Sequence, residues 1–206
     1  MNRIKLALAG CCVVLIAAGS LSGCTADPNA TSGSRVSARE SSIPVVTSRV
    51  FSTVIKMSPA ELKAHAQAIV LARVVRRVGP FSVQEPAGDD GSTITRVFTD
   101  WEVMPLRVYK TDGQVSQGSP IRVALFGGEV DGVRQVAGDE ADLTAGETVV
   151  LFLTREISPE AIEEGRYGIL TLRQGKYHVN DSTGQAENPV NKTIPLKELE
   201  SLLLTK

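Results

Sequence analysis

The stretch "ETVVLFLT" is apolar at every position from Val149 to Leu153. A half-exposed strand alternates apolar with polar residues, so an unbroken run this short predicts a strand covered on both faces. The chain must therefore supply an apolar layer for each side of it. Candidates abound. "AIVLARVVRRV" places Val70, Ala72, Val74 and Val78 on one face, with Arg73 and Arg77 on the other. "TRVFTDWEVMPLRVYK" alternates Val97, Thr99, Trp101 and Val103 before Pro105, whose missing donor predicts a bulge or an edge. "PIRVALF" alternates Ile121, Val123 and Leu125, and "TDG" makes a turn at Thr111–Gly113. "GGEVDGVRQV" reads as a hairpin turning at Asp131-Gly132. "PFSVQEPAGDDGST" reads as a Gly/Asp/Pro-rich loop, and "RYGILTL" with "GKYHVN" as a hairpin around Gln174-Gly175.

Helices are marked at three places. In "SPAELKAHAQ", Ser58 suits the N-cap, Pro59 the first helical position, and Glu61 completes a capping box. That helix should run from Pro59 to about Gln67, with Leu62, Ala66 and Ile69 inward. "SPEAIEEG" reads as a short helix capped by Ser158 and stopped by Gly165, and "IPLKELESLLL" as one with Leu196, Leu199, Leu202 and Leu203 on one side. Strands dominate and turns recur regularly, which favours a closed barrel or a sandwich. The expected fold is mainly β: a small β-barrel of five to seven strands with an N-terminal and a C-terminal helix.

The first residues have a different character. Arg3 and Lys5 precede an apolar run from Leu6 to Ala18, followed by the small residues Leu21-Ser22-Gly23. This is the layout of a secretory signal, and the run is short for a hydrocarbon core of about 30 Å. Leu21-Ser22-Gly23-Cys24 resembles the lipobox of bacterial lipoproteins. The resemblance implies cleavage between Gly23 and Cys24 and diacylation of the Cys24 sulfur, and two acyl chains hold a protein on a membrane where one barely does. Residues 1–23 are then a lipoprotein signal peptide and 24–42 a lipidated cysteine with a Ser/Thr/Ala/Gly-rich tether. Residues 43–206 form a single β-barrel domain. The location implied is the exported side of the cell membrane or outer membrane. Thr25, where an Asp would retain a lipoprotein at the inner membrane, favours the outer membrane in a two-membrane cell.

The order "AIVLARVV", "TDWEVMPLRVYK", "IRVALFGGEVDG", "LTAGETVVLFL", "YGILTLRQGKYHV" looks like uncharacterised secreted bacterial and archaeal domains. Those carry an "AD-x-I-V-x-G-x-V" opening and a "G-E-x-Y-L-L-F-L" strand. More distantly it is similar to the OB-like barrel of netrin-like and tissue-inhibitor-of-metalloproteinase domains. The resemblance implies an OB-like barrel. It does not carry the inhibitory activity, which uses a free mature N-terminal cysteine, whereas Cys24 is expected to be acylated.

Composition narrows the chemistry. All three cysteines lie at or before position 24, so the folded part is expected to have no disulfide, thiolate nucleophile or cysteine metal site. The whole chain has 22 Lys+Arg against 23 Asp+Glu; losing Arg3 and Lys5 leaves 20 against 23, a formal charge of −3. That balance lacks the basic footprint of a nucleic-acid binder. Of the two histidines, His65 is expected to be partly buried on its helix and His178 to face solvent from a strand. Neither belongs to a His-Glu-x-x-His pair, so no metal site is assigned. No Gly-x-Ser-x-Gly elbow occurs, and "GQVSQG" around Ser116 has the wrong spacing. "FGGEVDGV" lacks the third glycine of a dinucleotide turn, so no cofactor is expected.

Carboxylates remain. Asp89 and Asp90 in "AGDDGS" and Glu129 and Asp131 in "GEVDG" are the candidate ligand or ion loops, with Asp139, Glu140 and Asp142 nearby. Acidic glycine-bearing loops can hold calcium, but turns attract Asp and Gly for backbone reasons alone. Trp101, the single tryptophan, is expected in the core, with a ligand platform as the alternative. The functional expectation is a membrane-anchored module, without a catalytic site, that engages an envelope protein or glycan. The alternatives are an envelope hydrolase using the loop carboxylates, and a non-catalytic structural or assembly factor.

Overall fold

A computed structural model describes residues 46–50, 55–87, 91–138, 141–158 and 165–205, all within one unit, Ser42–Lys206. Gly23, Cys24, Asp89, Asp90, Asp139, Glu140 and the helix expected after Ser158 lie outside the described residues. The fold is mainly β with two α-helices.

Helix α1 (Pro59–His65) follows Ser58, whose hydroxyl accepts from the Glu61 backbone while Glu61 Oε2 accepts from the Ser58 backbone at 2.7 Å. The capping box is therefore complete, and the helix ends at His65, two residues before the expected stop. Helix α2 (Leu196–Leu204) buries Leu199 and Leu203 and half-buries Leu196 and Leu202. Two lysines satisfy helix-end carbonyls. Lys110 Nζ donates to Lys63 O and Ala64 O of α1, and Lys63 Nζ donates to Leu202 O of α2.

The described strands number eleven, of which five close a ring where a barrel of five to seven was expected. Strands β2 (Ala68–Pro86) and β3 (Thr93–Lys110) form one long antiparallel hairpin. β3 pairs with β4 (Ile121–Phe126), which pairs in parallel with β8 (Arg166–Ile169). β8 pairs with β7 (Thr148–Thr154), and β7 returns to β2, closing a hydrogen-bonded ring of five strands. β9 (Lys176–Asn180) extends the sheet from β7 to β10 (Gln185–Glu187) and β11 (Ile194–Pro195). A separate sheet has β6 (Val133–Ala137) between β1 (Val46–Val50) and β5 (Gly128–Val130).

Strand β7 explains the packing. Val149, Leu151 and Leu153 join Val70, Ala72, Val74, Val103 and Val123 in the core on one face. Val150 and Phe152 turn the other way, onto Leu62, Tyr177, Leu199 and Leu203 beneath the helices. One strand serves two cores, so both parities are apolar.

Three expectations need correction. Val78 does not share the inner face of Val70, Ala72 and Val74; it is 37% exposed. The β2–β3 register steps between Val74 and Arg76 and between Arg77 and Gly79, leaving Val75 and Val78 as unpaired bulge residues. The bulge expected at Pro105 does form, with Leu106 as the unpaired residue between Pro105 and Arg107. Second, Pro80–Pro86 is strand, not loop. Phe81 lies opposite Phe98 and stacks on it at 5.4 Å, while Phe126 meets Phe98 edge-on at 5.5 Å. β7 stops pairing with β2 at Arg73, so Pro80 and Pro86 lie where β2 has one neighbour in this sheet, and an edge tolerates a missing donor. Third, β8 and β9 are not a hairpin. They pair with successive halves of the same edge of β7, joined by a 3₁₀ turn (Leu172–Gly175).

Buried phenols tie the ring to its surroundings. Tyr167 donates to Asp112 at 2.8 Å, and Tyr109 donates to Glu200 of α2 at 2.6 Å, where Arg107 also bonds. Burial, then the neighbouring carboxylate, raises the pKa of both phenols above 10.0, and burial raises that of Tyr177 as well. The folded chain thus holds neutral phenols that the unfolded chain ionises near pH 10, so their stabilisation is complete below that pH and is lost as pH rises above it. Urea midpoints should fall above about pH 10, and Tyr109→Phe with Tyr167→Phe should flatten the decline. A parallel decline in the double variant would refute the assignment.

Candidate functional site

β2, β3 and β4 run past the residues that β7 and β8 pair with, and a cleft of about 510 Å³ opens on that extension. Trp101 and Thr99 of β3, Arg77 of β2 and Leu125 of β4 form one wall. The β5–β6 hairpin forms another, with Arg134, Gln135 and Val136, and Ala141–Leu143 line the rest.

The hairpin is fixed by its own sequence and by β3. Asp131 and Gly132 both have positive φ, 49° and 78°, as the expected two-residue turn requires. Gln135 accepts from Val97 N at 2.8 Å and donates to Thr95 O at 2.7 Å. Thr99 Oγ1 donates to Gly127 O at 2.7 Å. A Cβ on Gly128 would lie 2.9 Å from Thr99 Oγ1, so the approach of β5 to β3 requires glycine there.

Two guanidinium groups, from different sheets, face this cleft. Arg77 reaches Thr99 Oγ1 at 3.5 Å and forms no ion pair among the described residues; neither does Arg134. Glu129 lies opposite Arg134 in register, without an ion pair between them. Among the described residues the lining contains one carboxylate, Asp142. Trp101, expected in the core, is half-buried, packing against the ring core with one part and bordering the cleft with another.

The other polar clusters tie elements of the fold together. Glu147 accepts from Lys176 Nζ at 2.9 Å and Thr144 N at 2.7 Å, and its other oxygen meets His178 Nδ1 at 3.2 Å, binding the start of β7 to β9. Asp100, buried on the opposite face of β3 from Trp101, pairs with Arg166 at 2.9 Å and Arg122 at 3.4 Å.

Of the described acids singled out from the sequence, Asp142 lines the cleft and Glu129 and Asp131 do not. Glu129 is exposed on β5 and Asp131 occupies the turn. Among the described residues no three His, Cys, Asp or Glu side chains are grouped to hold a metal ion. His178 faces solvent as expected, while His65 is exposed rather than partly buried. Sequence reasoning missed Arg77 and Arg134 as a pair. Each stands in an alternating strand where an arginine reads as solvated surface, and only the return of β6 across β3 brings them to one cleft. No protein-family model and no curated protein matches the chain, so the cleft is interpreted from its own chemistry.

Proposed function

We propose that this chain is a lipid-anchored binding module of the cell envelope, with an OB-like β-barrel as its folded body and the Trp101 cleft as its ligand site. The observation that carries the reading is the cleft itself: an indole and two guanidinium groups that form no ion pair among the described residues, framed by two sheets. Concave sites at the mouths of closed β-structures, part apolar with a few convergent polar groups, are typical ligand sites. The five-strand ring supports the barrel description, and the Leu21–Cys24 motif supports tethering through diacylated Cys24. The partners are then the membrane, through the acyl chains, and an envelope protein or glycan, through the cleft. A carboxylate hydrolase is less favoured, because an acid pair needs two carboxylates facing one substrate and, among the described residues, the lining supplies Asp142 alone.

The test is made in a bacterial host expressing the full chain. A clickable palmitate analogue should label the parent, and Cys24→Ala should lose both label and membrane retention. A photo-crosslinking residue at exposed Val136, on the cleft rim, should trap an envelope component, whereas one at Lys197 on α2 should not. Unchanged retention of Cys24→Ala overturns the anchor. Equal trapping at both positions, or none at Val136, overturns the site.

A further inference from the structure

We infer that the Trp101 cleft recognises an acidic saccharide, a sugar ring carrying a carboxylate. This deepens the binding-module reading and rests on it. Each wall of the cleft offers a group that suits such a ligand. The half-buried indole supplies a flat apolar surface suited to the C–H face of a sugar ring. Guanidinium groups bind carboxylates through paired, charge-assisted hydrogen bonds. Arg77 is partly pre-positioned, since Thr99 Oγ1, 3.5 Å away, is itself held by Gly127 O. Asp142 has no ion pair among the described residues and lines the same cleft, where a carboxylate can only accept, as it would from sugar hydroxyls. It would also repel a phosphate dianion more than a single carboxylate.

A peptide fits less well. Peptides commonly dock by adding a strand to an open edge. The β6 wall offers no such edge, because β1 and β5 occupy both sides of it, and the Gln135 side chain is committed to β3. The lining therefore presents side chains rather than a ladder, and its 510 Å³ lies within the range of about 300–1,000 Å³ for small-ligand sites.

The experiment uses the full chain in detergent micelles, with tetragalacturonate, its methyl ester, maltotetraose and a Glu-rich tetrapeptide as probes. Calorimetry gives affinity, and the fluorescence of the single tryptophan reports on the cleft itself. Tetragalacturonate should bind, shift Trp101 emission and weaken with added salt. Arg77→Gln and Arg134→Gln should each weaken it about tenfold or more, with melting temperatures at the parental value because both side chains are exposed. Ester and maltotetraose should bind far less. Equal binding of the neutral probes, or unchanged affinity in both arginine variants, overturns the inference. Binding of the tetrapeptide alone overturns the saccharide while leaving a binding module. No binding by any probe, with trapping at Val136 in cells, also defeats only the saccharide. Absence of both defeats the underlying reading too.

Discussion

Asp100→Asn should lower the unfolding free energy by about 3–5 kcal/mol, the usual cost of breaking a buried ion pair from one side. Asp100 is 4% exposed, and its Oδ2 holds Arg166 Nε at 2.9 Å and Arg122 Nη1 at 3.4 Å. Arg166 is only 15% exposed in its side chain and lies 4.1 Å above the Phe81 ring. Asparagine keeps the shape and removes the charge, taking the Asp100 carboxylate away from a largely buried guanidinium. For a chain of this size each kcal/mol moves the melting temperature by about 2–4 °C, so a drop of roughly 6–20 °C is expected. Among the described residues Asp100 Oδ1 is buried without a partner, so the pair is not ideally solvated by the protein. Asp100→Leu with Arg166→Met should therefore recover most of the loss, because both charges of the buried pair are then removed together; Arg122, 40% exposed, can turn to solvent. A single variant melting within about 2 °C of the parent would refute the account.

Asp100 also shows where sequence reading stops. The alternation in β3 was legible, but which face would be more polar was not, because Phe98 and Asp100 share a face. Phe81, Arg166 and Phe126, brought in from β2, β8 and β4, cover that face and make burial of the carboxylate tolerable. What the sequence expressed well was local. The Ser58–Glu61 box needs four residues, the Asp131-Gly132 turn needs two, and β7 declares its double burial in five. What it concealed was parity and pairing. Val78 has the right spacing for the inner face, but an unpaired residue at Val75 breaks the period without altering composition. Phe81 and Val83 look loop-bound among Pro, Gln and Glu until Phe98 is laid beside them. The cleft is harder still, since Arg77 and Arg134 meet through the fold-back of β6.

Gly175→Ala should destabilise the chain by about 3 kcal/mol or more, beyond the usual range for an added methyl group in a packed interior. Gly175 is not in the left-handed region, so backbone preference alone marks it as replaceable. Space says otherwise: an added Cβ would lie 2.2 Å from Leu170 O, 2.9 Å from Ile169 Cγ2 and 3.2 Å from Leu170 C. The obstacle is backbone, and it is held on all sides. Leu170 N donates to Phe152 O at 2.8 Å, tying it to β7. Asn188 Nδ2 donates to Gln174 O at 2.8 Å and Lys176 O at 2.7 Å, clamping the chain on both sides of Gly175. Gln174 reaches Met57 N at 2.9 Å and Ile55 O at 3.0 Å. Relief would require moving the turn that sends β9 along β7 beside β8. Gly184 is the contrast: its φ of +66° is unfavourable for alanine, but nothing lies within 4 Å of its Cβ position. Gly184→Ala should cost only about 1–2 kcal/mol. Urea denaturation of the two variants therefore separates crowding from backbone preference, and a larger loss at Gly184 would show that close approach to Leu170 does not hold this turn in place.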